Sequence, residues 1–225
     1  MADMLEILLV AALAAAPAEG RVVEQVVAVV RGPAGAQPRP IMQTRLVQEA
    51  RVALVGQGAV EAASAPLDEA ALRASLRWLV DQLLVADEAA RLQVDEVARE
   101  DVQAAVRRFR DRFPGEAAYR RFLAEADLGE EDLEVVLARD LKVQRYLESR
   151  VGRAARVSDE ELERFLAGRG GALDSAGARE SVRARLSAEK AQAQVRQILA
   201  DLRSRADVRV LVPELAPALD EGAAR

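Results

Sequence analysis

Near its C-terminus the chain reads RSRADVRVLVP, Arg203 to Pro213, where Val208, Val210 and Val212 alternate with Arg209 and Leu211. Alternation with period two marks a half-buried strand. A lone strand leaves its backbone N–H and C=O groups unpaired, so this one demands a neighbour. Residues 22–31, VVEQVVAVVR, are the segment fit to supply it, being β-branched and apolar on both faces. The two ends of the chain are therefore expected to meet in a small sheet, with Ile41-Met42 a candidate third strand. A chain closed in this way is one unit, whatever lies between its ends.

What lies between is helical. Ala and Leu dominate, and both favour helix. After a turn-forming loop, Gly32 to Pro40, Thr44 is expected to cap a helix running to about Gly56, and GQGAVEAASAP, 56–66, reads as a second loop. One pattern then recurs at helix starts: an apolar residue, a cap position, acids in the first turn, and an apolar residue at N4. It occurs at Leu67–Leu72, Val97–Val102, Leu128–Leu133 and Val157–Leu162. The apolar pair suits a hydrophobic staple and the acids suit a capping box and the helix dipole. Apolar stripes extend these starts into helices over 68–92, 98–112, 130–150 and 158–167, with a further one over 115–125 after Pro114-Gly115. A final helix over 178–206 would be roughly 43 Å long. Its apolar stripe is thin, which suggests that it lies across several partners. The starts recur at roughly even spacing, but the helix interiors do not repeat, so a solenoid is not expected. The tail, 213–225, reads as disordered.

The chain has no histidine and no cysteine. That excludes a Ser-His-Asp triad, a cysteine nucleophile and a zinc site built on imidazole or thiolate. The acid clusters at 100–101, 130–132 and 159–161 each fall in a first helical turn, where capping accounts for them. No cofactor, metal site or catalytic residue is expected, and the chain does not read as an enzyme. A net charge of −5 gives no general attraction to nucleic acid. The run Arg107–Arg112, broken by Asp111, reads as a solvated helix face.

The first twenty residues read MADMLEILLVAALAAAPAEG. Ile7 to Ala16 is apolar but too short to span a bilayer, and Ala16-Pro17-Ala18 has the small-x-small form of a signal-peptidase site. The expectation is a signal peptide, residues 1–18, cleaved after Ala18. Its leading region carries Asp3 and Glu6 and no basic residue, which is atypical. The competing readings are a helix packed on the domain and a misassigned start.

VVEQVVAVVRG…PIMQTRLVQEARVAL, LRASLRWLVDQLLVADEAARLQV, FPGEAAYRRFLAEADLGEEDLEVVLARDLKVQRYLESRV and LSAEKAQAQVRQILADLRSRADVRVL follow one another in this order. Together they resemble the N-terminal chaperone module of the SurA-type periplasmic folding factors, over most of residues 19–212. The order and lengths of the elements carry the resemblance. Two turns depart from it: a glycine is usual where this chain has Gln93, and a Gly-Leu-Ser turn where it has Asp127-Leu128-Gly129. Relatives also carry parvulin-type prolyl isomerase domains before the last helix, where this chain has only about ten residues. The resemblance implies a mainly α, multi-helix module with a long C-terminal helix and a small sheet. It implies a periplasmic, ATP-independent holdase for unfolded polypeptides, outer-membrane proteins among them, bound in a groove beside the last helix, with no stable membrane insertion. The alternatives are a prolyl isomerase relative and a scaffold subunit with one fixed partner. Trp78, Phe113 and Tyr119 are the candidate client contacts, each with core packing as the competing reading.

Overall fold

The computed structural model describes residues 24–32, 37–94, 96–167 and 176–216. The predicted signal peptide, its cleavage point at Ala18 and the tail from 217 onward lie outside the described residues. Strands β1 (Val26–Arg31), β2 (Arg39–Met42) and β3 (Asp207–Val210) form a three-stranded sheet in the order β2-β1-β3. Both pairings are antiparallel. Ala28 lies opposite Val210 and Val30 opposite Val208, so the two ends of the chain are joined by a β-ladder. Beyond the last paired residue, Leu211 N–H still donates to Val27 O at 2.9 Å.

β1 is shorter than the stretch 22–31. A bulge between Val26 and Ala28 shifts its register against β2, and Gln25 O accepts from Gln43 N–H at 2.8 Å. The chain passes straight from β2 into α1 (Gln43–Gly56), with Met42 at the N-cap and no cap from its side chain. Thr44 is thus not the cap but a first-turn residue. The Glu24 carboxylate takes over part of the role by accepting from Thr44 N–H, 3.3 Å. Hydrogen bonds from the hydroxyl and N–H of Thr44 hold the Glu24 carboxyl below its ordinary range.

The remaining helices are α2 (Val60–Ser64), α3 (Glu69–Arg91), α4 (Arg99–Arg110), α5 (Glu116–Glu125), α6 (Glu130–Ala154), α7 (Asp159–Ala167) and α8 (Ala176–Ser204). Three of the four staple sites use their cap residue. Asp68 Oδ1 accepts from Ala71 N–H, and Gly129 N–H donates to Asp132 Oδ2. Ser158 and Glu161 close a full reciprocal box. Ala98 has no side chain able to cap α4, and Asp101 pairs instead with Arg145 on α6.

Two expectations are corrected. The loop expected over 56–66 contains α2, which seats a fully buried Ala63. The tail is not disordered from its first residue. Pro213–Leu215 forms a 3-10 turn, and Leu215, 5% exposed, packs into the core against α3. Burying one leucine side chain is worth about 1.5–3 kcal/mol, enough to hold a single turn.

Three helices end in the same way. After α1, α3 and α5 the chain turns on Gly58, Gln93 and Asp127, all with positive φ: 86°, 53° and 50°. In each, the next N–H reaches back five residues: Ala59 to Leu54 O, Val94 to Ala89 O and Leu128 to Leu123 O, each 2.9 Å. These are Schellman motifs, and the left-handed residue in them is usually glycine. Gln93 and Asp127 are the two places where the resemblance led one to expect another turn residue.

The interior divides in two. The first core joins the sheet and α3 to the C-terminal halves of α6 and α8 and to Leu215. The second joins α1 and α2 to α4, α5 and the N-terminal half of α6. Helix α6 runs through both, giving Leu133 and Val136 to the second and Val143 and Tyr146 to the first. Between them it carries Arg139 and Asp140. Arg139 forks onto Glu49 with contacts of 2.7 and 2.5 Å. Glu49 is 1% exposed and also accepts from Arg45. Helix α8 lies across α3, α6 and α7, as its thin stripe suggested. It is held to α3 by the Arg203–Asp81 fork and to α7 by Lys190–Glu161 and Arg183–Asp159.

Candidate client-binding surface

The aromatic residues named from sequence are mostly interior. Phe113 is 7% and Tyr119 0% exposed. They pack with Phe109 and Phe122 at centroid separations of 5.2 to 5.9 Å. The turn at Pro114-Gly115 folds α5 back on α4 so that these rings face one another. Phe113 and Tyr119 are thus buried residues of the second core, with little surface to offer a client. The Arg110 guanidinium closes over the Tyr119 ring at 4.9 Å, and burial raises the phenol's pKa. Trp78 differs. It is half-buried on α3, packed against the first core with one side left to solvent. The arginines of 107–112 are exposed, and Arg110 reaches Glu116 and Glu130.

The groove expected beside the last helix exists but is polar. A cleft of about 260 Å³ between α3, α6 and α8 is lined by Glu88, Tyr146, Arg150, Gln194, Asp201 and Arg205, with Ile198 and Leu202. Its charges are met within the fold. Glu88 is gripped by Arg91 through contacts of 2.8 and 2.7 Å, which hold its carboxyl below the usual range. Arg205 pairs with Asp201. Such a cleft offers little to an apolar segment.

The apolar opening lies elsewhere. At the end of the sheet where β1 begins and β3 ends, Val27, Leu46, Leu72, Val212 and Leu215 line a pocket of about 220 Å³. Gln25, Gln43, Glu69 and Glu214 complete its lining. Gln25 and Gln43 also belong to the neighbouring cleft, about 330 Å³, which continues past Thr44, Gln48 and Arg51 to Glu125–Asp127. The two openings thus adjoin as a groove that is apolar at the sheet end and mixed amide and charged beyond, where Glu24, Arg51, Glu125 and Asp127 stand with the glutamines. Apolar side chains fit the first part, and the Gln25 and Gln43 carboxamides at the join can both donate to and accept from a peptide backbone. No sequence signal marked this groove, because its residues are spread over β1, α1, α3 and the tail and each alone reads as core or solvated surface.

Among the described residues no cluster of acids is placed to hold a metal ion, and no helix is long and apolar enough to cross a membrane. No protein-family model matches the chain, and no curated protein matches it.

Proposed function

We propose that this protein is an exported, ATP-independent chaperone of the SurA N-terminal type, which shields unfolded polypeptides by holding them in the groove at the sheet end. The observation that carries the reading is the chain's closure: N- and C-terminal strands in one ladder, with a long last helix feeding the second of them. That is the arrangement the resemblance calls for. The positive φ at Gln93 and Asp127 adds to it, because the glycine that the resemblance calls for at these turns is the residue best suited to that geometry. The groove supplies a mechanism. A small apolar pocket beside a polar shelf buries one or two client side chains at a time, so binding is weak and reversible.

Aggregation of a chemically unfolded β-barrel protein, followed by light scattering, tests this. Suppression at a few-fold molar excess is expected. A folded sample that leaves scattering unchanged overturns the reading.

A further inference from the structure

The two outer edges of the sheet are built differently. Leu211 N–H donates to Val27 O, so Leu211 faces β1 with its backbone groups. Backbone direction alternates along a strand, which places Asp207 and Arg209 toward β1 as well and turns Val208 and Val210 outward. Among the described residues, nothing pairs with the N–H or C=O of these two valines. The same alternation, carried across β1, turns Ala28 and Val30 toward Ile41 and Arg39 of β2 and leaves Pro40 facing out. Proline has no N–H, so the β2 edge lacks a donor where it would need one. One edge is blunted and the other is left open.

We propose that the outer edge of β3 is a strand-addition site, at which an extended stretch of unfolded polypeptide adds as a fourth strand. Only the identity of the added strand's source rests on the chaperone reading. Hydrogen bonds to Val208 and Val210 would hold any backbone, whatever its sequence. The side chains of Val208 and Val210 are half-buried on the core-facing side, and Leu211, 54% exposed, lies on the other. An added strand with β-branched residues on alternate positions extends the first of these faces. A second copy of this chain is the poorer occupant. The antiparallel register that engages both valines on each copy sets Arg209 opposite Arg209, and like charges directly opposed are unfavourable.

The test uses a capped peptide of alternating valine and threonine with a lysine at each end, titrated into the full chain. Two further versions carry N-methyl groups on the valine amides or on the threonine amides. Binding should fall at least tenfold for one methylated version and persist for the other, since only one set of amides faces β3. The variant Val210→Pro removes a donor the fold does not use. It should lose peptide binding while keeping its helical circular dichroism and Trp78 emission. Equal binding of both methylated versions, or of the folded proline variant, overturns the proposal, as does no binding of the parent peptide. A wild-type dimer that Val210→Pro dissolves overturns it in favour of self-pairing. Aggregation assays separate the two readings. If wild type and variant suppress scattering equally, chaperone activity stands and unfolded clients are overturned as the occupant of the edge. If wild type binds the peptide but suppresses nothing, the edge site stands and the chaperone reading falls.

Discussion

The first core is the larger, and the two are of opposite construction. The second draws its buried residues from one stretch, Val52 to Val136. The first takes Val27 to Leu46, then Leu76 to Ala89 from within that stretch, and resumes at Val143 to end at Leu215. One is therefore gathered from the middle of the chain and closed by aromatic stacking. The other exists only when both ends of the chain are brought together. Loop closure over such a distance costs entropy that must be offset by what the ends bury. Between them on α6 stand Arg139 and Asp140, with Glu49 facing them, so the two apolar interiors are divided by charge.

The sharpest way to break this comparison is to cut the chain after Ala206. Val208, Val210 and Leu215 are then lost, and β1 keeps only its bulged pairing with β2. At about 1.5–3 kcal/mol for each fully buried side chain, discounted for the half-exposed valines, the loss is roughly 3–6 kcal/mol. That approaches the whole stability of many domains. The emission of Trp78, the chain's single tryptophan, reports on the first core. It should melt well below wild type, and an unchanged midpoint refutes the dependence of this core on β3.

Next in size is Glu49→Ala, which leaves Arg139 buried without its forked partner. Stranding a buried charge costs about 3–5 kcal/mol. Urea titration should show that loss, and the double variant Glu49→Met/Arg139→Met should recover most of it. Failure of the double variant to recover would mean that the pair joins the two cores and does not merely divide them.

A smaller effect is expected at Asp140. Burial raises its pKa more than the neighbouring Arg139 lowers it. A carboxyl with a raised folded pKa weighs against the fold when ionised, and that weight is lifted as pH falls through the folded value. Asp140→Asn should therefore melt above wild type at pH 7. The gap should close on acidification toward the carboxylate range, and a gap that widens there contradicts the assignment.

The smallest change is at the two strained turns. Gln93→Gly and Asp127→Gly relieve a left-handed non-glycine residue, partly offset by a more flexible unfolded chain, so each should stabilise by at most about 1 kcal/mol. Gln93 follows α3 of the first core and Asp127 follows α5 of the second. Trp78 emission for the first core, and the near-ultraviolet signal of Tyr119 in a Tyr146→Phe background for the second, can therefore show whether each gain stays local.

The sheet was legible because period two is a strong signal over VRVLV and because only one other segment could answer it. The caps at Asp68 and Ser158 were legible because their chemistry is local. The direction in which a ring faces is not. Phe113 and Tyr119 flank a Pro-Gly turn that suggested exposure, yet the turn's sense is fixed by what α5 packs on. Helix α2 is too short to show a period, and Leu215 sits among prolines and alanines that read as coil. The groove was invisible for a related reason: a concavity belongs to the spacing between elements, which no single segment encodes.

The ladder between β1 and β3 has a temporal meaning as well. At about 5–20 residues per second of synthesis, β1 waits roughly ten to thirty seconds for its partner to be made. By then every residue of the aromatic interior has long since emerged. Translation thus delivers this protein half finished, and the segment from Asp207 to Leu215 acts as the clasp.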